Sequence, residues 1–378
     1  MHIRFKQHSA LEALRRITPV LPKNNLLPAL CGILLEAQEG STEVTATAQN
    51  TLLCAKITFE ADVIESGTLL FDGSLLTKII ERFGSPEAEI QTSDCDSVLI
   101  AGGPTRYLLS AQDAAGYPAP LFPERENCVE IVNFPKLAKA CLFAAGHDPK
   151  WSEYNCIKLE AKDSKISMSA SDRIGYMHAA MPVSVDVPMK ILIPSEIVSY
   201  FAGIFGTKES VQIGTSDGRV IFRSRSFCAV LRSAAGTFPD VRQVLKRVRP
   251  DSVALVNAHE FSRMLSMLSS AAVPESTVAL KICDEHIKLR ADGISGGCKT
   301  EVEAQATIAM PDAKNYLLNH LHPALQRCGD GSVRLIVDKS GVLVLQNGHQ
   351  TYLLSPTRAY DVQRAREKEQ KRRIKKAA

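Results

Sequence analysis

The same phrase occurs three times along the chain. The stretches RYLLSA at 106–111, AVLRSA at 229–234 and TYLLSP at 351–356 place a serine at Ser110, Ser233 and Ser355, in steps of 123 and 122 residues. A period of that length is a strong constraint on the fold. Solenoid units run about 20–45 residues, whereas about 120 residues bury enough surface to fold as a domain.

The pattern between the repeated serines recurs element by element. Helical spacing predicts a first amphipathic helix at 9–21, 134–146 and 258–271. In the first of these, Leu11, Leu14 and Ile17 form the apolar stripe, and Ser9 with Glu12 predicts a capping box. A strand hairpin follows each, with Ile157/Leu159 and Ile166/Met168/Ala170 alternating around a polar turn. Second helices are predicted at 72–84, 194–206 and 312–326, the first two stopped by Gly84 and Gly206. A second hairpin closes each copy, and Tyr117-Pro118 and Phe238-Pro239 start extended connections. The expectation is an α+β chain of three repeated domains at 1–122, 123–247 and 248–359. Each has two helices packed on antiparallel sheets, and a basic tail follows at 360–378.

Charge supports no general attraction to polyanions. The net charge is +4, but 360–378 holds eight Lys/Arg against three Asp/Glu, so the remainder sums to −1. The sequence contains no apolar run of membrane length and no secretory signal at its N-terminus. Ten cysteines without a C-x-x-C pair suit reduced core thiols in a cytoplasmic protein. P-loop, dinucleotide, H-E-x-x-H and G-x-S-x-G patterns are missing, and the acidic residues are dispersed. No catalytic residue, metal ligand or cofactor is therefore predicted. A metal-dependent nuclease or hydrolase with triplicated domains is the competing class.

Equivalent domains joined head to tail through sheet edges either spiral or close, and two chains of three would make a six-unit ring without free edges. The predicted helices carry cations off their apolar stripes: Arg15 and Arg16, Lys78 and Arg82, Lys136 and Lys139 with Lys150 nearby, Arg263, then Lys314, His320, His322 and Arg327. With few aromatics and no nucleic-acid-reading motif, this reads as a weak, sequence-independent phosphate surface.

KNNLLPALCGILLEA at 23–37, YNCIKLEAKDSKISMSASD at 154–172, GTFPDVRQVL at 236–245 and TYLLSPTR at 351–358, in that order on a threefold repeat, resemble the sliding-clamp family of bacterial replication, the beta subunit of DNA polymerase III. The resemblance covers about residues 1–359. It implies a non-catalytic processivity factor: a homodimeric ring around double-stranded DNA, helices inward. It also implies docking of the replicative polymerase, the clamp loader and other clamp-binding-motif proteins, and association with the nucleoid rather than a membrane. A plasmid- or phage-borne paralogue that serves another polymerase or sequesters partners is the nearer alternative.

By resemblance the partner-peptide pocket falls on Tyr154, Ser171, Asp172, Arg173, Ile174, Gly175, Tyr176, Pro239, Val244, Leu353, Leu354, Ser355, Pro356, Thr357 and Arg358. DNA-facing positions fall on Arg15, Arg16, Asn24, Lys78, Lys136, Lys139, His147, Lys150, Lys314, Asn315 and Arg327, and the dimer interface on Tyr107, Leu109 and Leu268. Several departures stand out. Gly175 and Tyr176 replace a typical arginine and leucine, Ser355 and Thr357 replace methionines, and Asn24 and Gly73 stand where arginines are frequent. The pocket is thereby expected to be smaller in apolar area and more polar, with an altered peptide preference. The tail, if helical, would span about 28 Å.

Overall fold

The computed structural model describes residues 1–22, 27–93, 97–110, 112, 114–123, 127–271, 276–292, 297–329 and 331–357. One order of elements runs three times through them. The first passage is β1 (His2–Lys6), α1 (Gln7–Ile17), β2 (Gly32–Ala37), β3 (Glu43–Gln49), β4 (Leu53–Glu65), β5 (Gly67–Asp72), α2 (Gly73–Glu81), β6 (Glu87–Thr92), β7 (Ser97–Gly102) and β8 (Thr105–Ser110). The second is β9 (Asn127–Val132), α3 (Phe134–Leu142), β10 (Cys156–Lys162), β11 (Lys165–Ser171), β12 (Gly175–Pro182), β13 (Met189–Pro194), α4 (Ser195–Ile204), β14 (Ser210–Ser216), β15 (Arg219–Arg223) and β16 (Phe227–Arg232). A short helix, α5 (Arg242–Arg247), precedes the third. That passage is β17 (Pro250–Asn257), α6 (Ala258–Ala271), β18 (Thr277–Ile282), β19 (His286–Asp292), β20 (Gly297–Ile308), β21 (Lys314–Leu317), α7 (Leu318–Arg327), β22 (Ser332–Asp338), β23 (Leu343–Asn347) and β24 (Gln350–Leu354).

Local chemistry explains most of these elements. Leu11, Leu14 and Ile17 of α1 are buried as their spacing requires. The β10–β11 hairpin turns through Asp163 and Ser164, both at positive φ, between the paired Lys162 and Lys165. Three details differ from the sequence expectation. α1 starts at Gln7 rather than at a Ser9 cap, because β1 feeds directly into it: the Gln7 amide donates to Pro86 O at 2.9 Å and the Gln7 side chain to Ile80 O. The last predicted helix starts only at Leu318, since 314–317 pair with β18 as β21. Gly84 and Gly206 are not left-handed stops; α2 ends at Glu81, with Arg82 in right-handed helical conformation.

The chain forms two compact units. The first comprises Met1–Phe134, Val183–Met189 and Gly203–Ser233; the second comprises Pro135–Pro182, Lys190–Ala202 and Ala234 onward. Segment 123–247 therefore contributes to both. Each unit is built on a 12-stranded sheet. In the first the strand order is β8-β7-β6-β1-β4-β16-β15-β14-β9, with β2, β3 and β5 branching from β4; in the second it is β13-β10-β11-β12-β24-β23-β22-β17-β20-β19-β18-β21. Neighbouring strands run antiparallel, as β1 does to β4 and β6, β12 to β24, and β17 to β20 and β22.

Within the first unit, Phe134 meets Phe205 and Phe222 edge-on, each at 5.8 Å between centroids. Within the second, α6 buries Phe261, Leu265 and Leu268 completely. Side chains enclosed in this way stabilise by about 1.5–3 kcal/mol each. Leu268, expected at a subunit boundary, is thus a core residue: its helical spacing from Phe261 and Leu265 points it inward. No helix among the described residues is long and apolar enough to cross a membrane.

Candidate functional site

The β11–β12 connection is shaped by two short polar side chains. Asp172 Oδ1 accepts hydrogen bonds from the amides of Ile174 (3.0 Å) and Gly175 (2.8 Å), while Ser171 Oγ donates to Gly175 O and accepts from the Arg173 amide. This self-bonded turn holds Arg173 at φ 79°. That conformation costs about 1–2 kcal/mol for a residue with a Cβ. The Arg173 guanidinium lies over the Trp151 ring, 4.2 Å from its centroid, which recovers about 0.5–1 kcal/mol.

β24 closes against this turn. Gly175 pairs with Leu354, Tyr176 with Leu353 and Met177 with Tyr352. Ser355 N then donates to Ile174 O at 3.0 Å, and Thr357 N to Asn315 O at 2.8 Å. Beneath lies an apolar cluster of Cys156, Tyr176, Leu192, Phe238, Val344 and Leu353, against which Val241, Leu245 and Val248 pack from α5 and its flanks. Tyr176 sits 6.5 Å from Phe238, ring to ring, and its hydroxyl donates to Ser169 Oγ at 3.1 Å. Ser169 in turn bonds His178 Nδ1 at 3.0 Å. Tyr176 is thus a fixed floor, 5% exposed, with a satisfied polar end. Ile174 and Val244 are exposed apolar residues, at 39% and 44%.

The structure accordingly brings Ser171–Tyr176, Leu353 and Ser355 together, with Val244 on the adjoining helix. Pro239 follows the buried Phe238 and its carbonyl accepts from Val241 N. Tyr154 is half-buried, its amide donating to Trp151 O. Pro356 and Thr357 are half-buried beyond β24. Leu354 is fully buried and Leu353 nearly so, at 6% exposed. Arg358, Asn24 and the tail 360–378 lie outside the described residues. Sequence reasoning missed Trp151 and Phe238. Phe238 was signalled by its place before Pro239, and Trp151 only by being the one tryptophan in the chain.

His320 on α7 is turned inward, Nε2 3.5 Å from Asp172 Oδ2, rather than lying on an outer cationic face. Burial lowers its pKa from 6.5, opposed by the Asp172 carboxylate. Burial likewise lowers His322.

The other cations fall into two groups. Arg15 pairs with Glu81, Arg16 with Glu12 (3.3 Å) and Glu209 (3.4 Å), and Arg263 with Glu260 (2.9 Å). Lys78, Lys136, Lys139, Lys150 and Arg327 are exposed, with no ion pair among the described residues, and His147 is exposed beside them in sequence. Lys314 and Asn315 are half-buried on β21, not on a helix as expected. Tyr107 and Leu109 are half-buried on β8, with Leu108 between them 67% exposed. The nine described cysteines are free; burial pushes the thiols of Cys54 and Cys141 up to about 12, leaving them unreactive near neutral pH. Among the described residues no group of His, Cys, Asp or Glu side chains is arranged to hold a metal ion.

The thrice-repeated order of elements on two antiparallel sheets defines a DNA-clamp fold. Residues 1–121 match the family described as DNA polymerase III beta subunit, N-terminal domain. A beta sliding clamp of Streptomyces coelicolor is 23% identical over 289 residues, covering 74% of this chain and 76% of the relative. A putative DNA polymerase III beta subunit from Eubacterium rectale superposes with a TM-score of 0.88 at 14% identity, over 94% of this chain and 99% of that one. A Pseudomonas aeruginosa DNA polymerase III subunit beta sliding clamp, solved bound to griselimycin, superposes at 0.86 with 17% identity, over 95% and 99% of the two chains. The chain is similar to DNA polymerase III beta subunits, by family pattern over residues 1–121 and by fold over nearly its whole length.

Proposed function

We propose that this chain is a non-catalytic DNA sliding clamp. Two copies close head to tail around duplex DNA, on the nucleoid, and tether a polymerase, a clamp loader and other partners through the Tyr176–Leu353 pocket. Segments 1–122, 123–247 and 248–359 are its three domains.

One observation supports ring closure above the rest. The eighth strand of the second passage, β16, pairs with the fourth strand of the first, β4, from Phe227↔Ile57 to Leu231↔Leu53. The eighth strand of the third, β24, pairs in the same sense with the fourth of the second, β12. The same rule leaves two strands over. β8, the eighth strand of the first passage, is a sheet edge, and β20, the fourth of the third, pairs with β17 only from Ala304 onward. On the side opposite β19, residues 297–302 of β20 have no partner strand among the described residues. β8 of one copy on β20 of another satisfies the rule a third time, and twice over in a dimer, which removes every such edge.

Exposed, unpaired Lys78, Lys136, Lys139, Lys150 and Arg327 suit a phosphate-facing wall that attracts DNA weakly, since encirclement rather than adhesion holds the ring in place. The test is retention. A solution mass of twice 41.2 kDa is expected. Loaded chain should stay on closed circular DNA at salt that strips it from the same DNA once linearised. A monomer, or equal loss from both templates, would remove the basis for this reading.

A further inference from the structure

The connection that leaves the first passage crosses the face of its own sheet and encloses a recess there. The Tyr117 hydroxyl donates to Thr47 O at 3.4 Å and Gln49 Nε2 donates to Pro118 O at 2.8 Å, which fastens the connection to β3. Further along, Phe122 packs on Ile221, Cys228 and Val230 of β15 and β16. Pro120 and Phe122 thereby border a cavity of about 340 Å³ whose other walls are side chains of β2, β3 and β4. Register places those side chains on one sheet face: Thr47 pairs with Lys56, Thr45 pairs with Glu36, and Glu43 lies two residues before Thr45.

Two features of this recess call for hydrogen-bond donors from outside. Thr47 is only 1% exposed, yet its hydroxyl has no hydrogen-bond partner among the described residues. Buried hydroxyls are ordinarily satisfied. Glu36 and Glu43, diagonal neighbours on adjacent strands, line the same cavity with no ion pair among the described residues. Glu43 also stands directly opposite Glu60, a like-charge placement that costs stability. The one cation in the lining, Lys56, places its ammonium over the Phe122 ring, 4.5 Å from the centroid, rather than on a carboxylate.

We infer that this recess is a binding site for a primary ammonium group carried on an alkyl chain. Two carboxylates against one ammonium disfavour an anion, and the lining does not bring together the His, Cys, Asp or Glu side chains that hold a metal ion. An ammonium has three N–H donors and no acceptor, which matches Glu36, Glu43 and Thr47 Oγ1. Its alkyl stem lies along Pro120 and Phe122, as lysine stems lie on apolar surface. The same head arrives on a free polyamine or on a lysine side chain of a partner protein. The inference stands apart from the Tyr176–Leu353 cluster and does not depend on the clamp reading.

The experiment is a calorimetric titration of the full-length chain at low salt with 1,4-diaminobutane and with 1,4-butanediol, which has the same length and no charge. The diamine is expected to bind about tenfold tighter, with the advantage shrinking at high salt. Glu36→Gln should weaken it about fivefold, and Thr47→Val, which keeps the shape and removes the hydroxyl, about threefold. Lys56→Met should tighten it, because a repelling cation leaves the lining. Asp163→Asn, at an exposed turn carboxylate whose positive φ asparagine accepts, should change nothing. Urea midpoints of the variants establish that each is folded. A capped Gly-Lys-Gly peptide binding tighter than the diamine assigns the ammonium to a partner's lysine; the reverse order assigns it to a free polyamine. Equal affinity for diamine and diol overturns the site. So does a diamine affinity that Glu36→Gln and Thr47→Val leave unchanged, or that Asp163→Asn lowers as much as they do, since either outcome describes diffuse attraction to surface charge.

Discussion

Tyr352 lays its ring diagonally across the β12–β24 pairing onto Gly175, so closely that a Cβ there would lie 3.0 Å from Tyr352 Cζ and nearer still to the hydroxyl. The ring also packs on Phe143 at 5.4 Å, and the buried hydroxyl has no hydrogen-bond partner among the described residues. Burial, aided by the Asp172 charge, drives the hydroxyl's pKa far up, so it stays protonated. The glycine that opens β12 and the large residue facing it are therefore one packing unit.

That unit predicts a coupled pair of mutants. Tyr352→Phe keeps the ring and removes an unsatisfied buried hydroxyl, so stability should hold or rise by up to about 1 kcal/mol. Gly175→Ala should cost about 1–3 kcal/mol through overpacking. The double mutant should recover part of that loss, because the nearest clashing atom is gone. Urea unfolding midpoints of the four proteins check this, and strict additivity would contradict it.

Local periodicity carries the parts of this fold that the sequence makes readable. Leu11, Leu14 and Ile17 announce a buried stripe because the helix repeat is local, and the threefold phrase announces the repeat of elements for the same reason. The start of α1 is different. Ser9 and Glu12 match a capping pattern, yet the Gln7 amide is satisfied by Pro86, which only the fold brings near. On β24, an apolar run in TYLLSP does not tell how its leucines pack: both are buried, and pairing register sets Leu353 opposite Tyr176 and Leu354 opposite Gly175. The Trp151–Arg173 stack joins two loops that no local pattern links.

Stability should depend on pH through His320 and His322. Both are held below the ordinary 6.5 by burial, His320 despite the attraction of Asp172. Unfolded, they take up protons near 6.5, so between the folded values and 6.5 the unfolded chain binds more protons than the native one. Stability is therefore lost as pH falls through 6.5. Urea midpoints should drop from about pH 7.5 to about pH 5.5, and His320→Asn should flatten that slope, with His322 sustaining the remainder. An unchanged slope in His320→Asn would show that the imidazole is free to charge in the folded state.

Cations already neutralised should matter less to DNA than unpaired ones. Arg15 is spent on Glu81 and Arg16 on Glu12 and Glu209, whereas Lys139 and Lys150 have no described acidic partner. Lys139→Gln and Lys150→Gln should each lower the salt slope of duplex binding by about 0.9, if each neutralises one phosphate. Arg15→Gln should change the slope by much less, since the variant loses a cation whose field Glu81 already cancels. Fluorescence-anisotropy titrations over a salt series distinguish the three.

The last prediction concerns the open edge of the first sheet. Leu108 on β8 is 67% exposed and so contributes little to the stability of the single chain. Its strand is nonetheless one of the two that the repeated pairing rule leaves without a partner. Leu108→Lys should leave the unfolding midpoint within about 0.5 kcal/mol of the parent, as surface substitutions do. If β8 meets β20 of a second copy, the same change places a lysine and its hydration at the junction, and edge lysines discourage strand addition. Sedimentation at matched concentrations should then show the dimer shifted toward monomer. A variant that stays fully dimeric would mean the copies join through some other surface, and the pairing rule would describe the fold without describing the assembly.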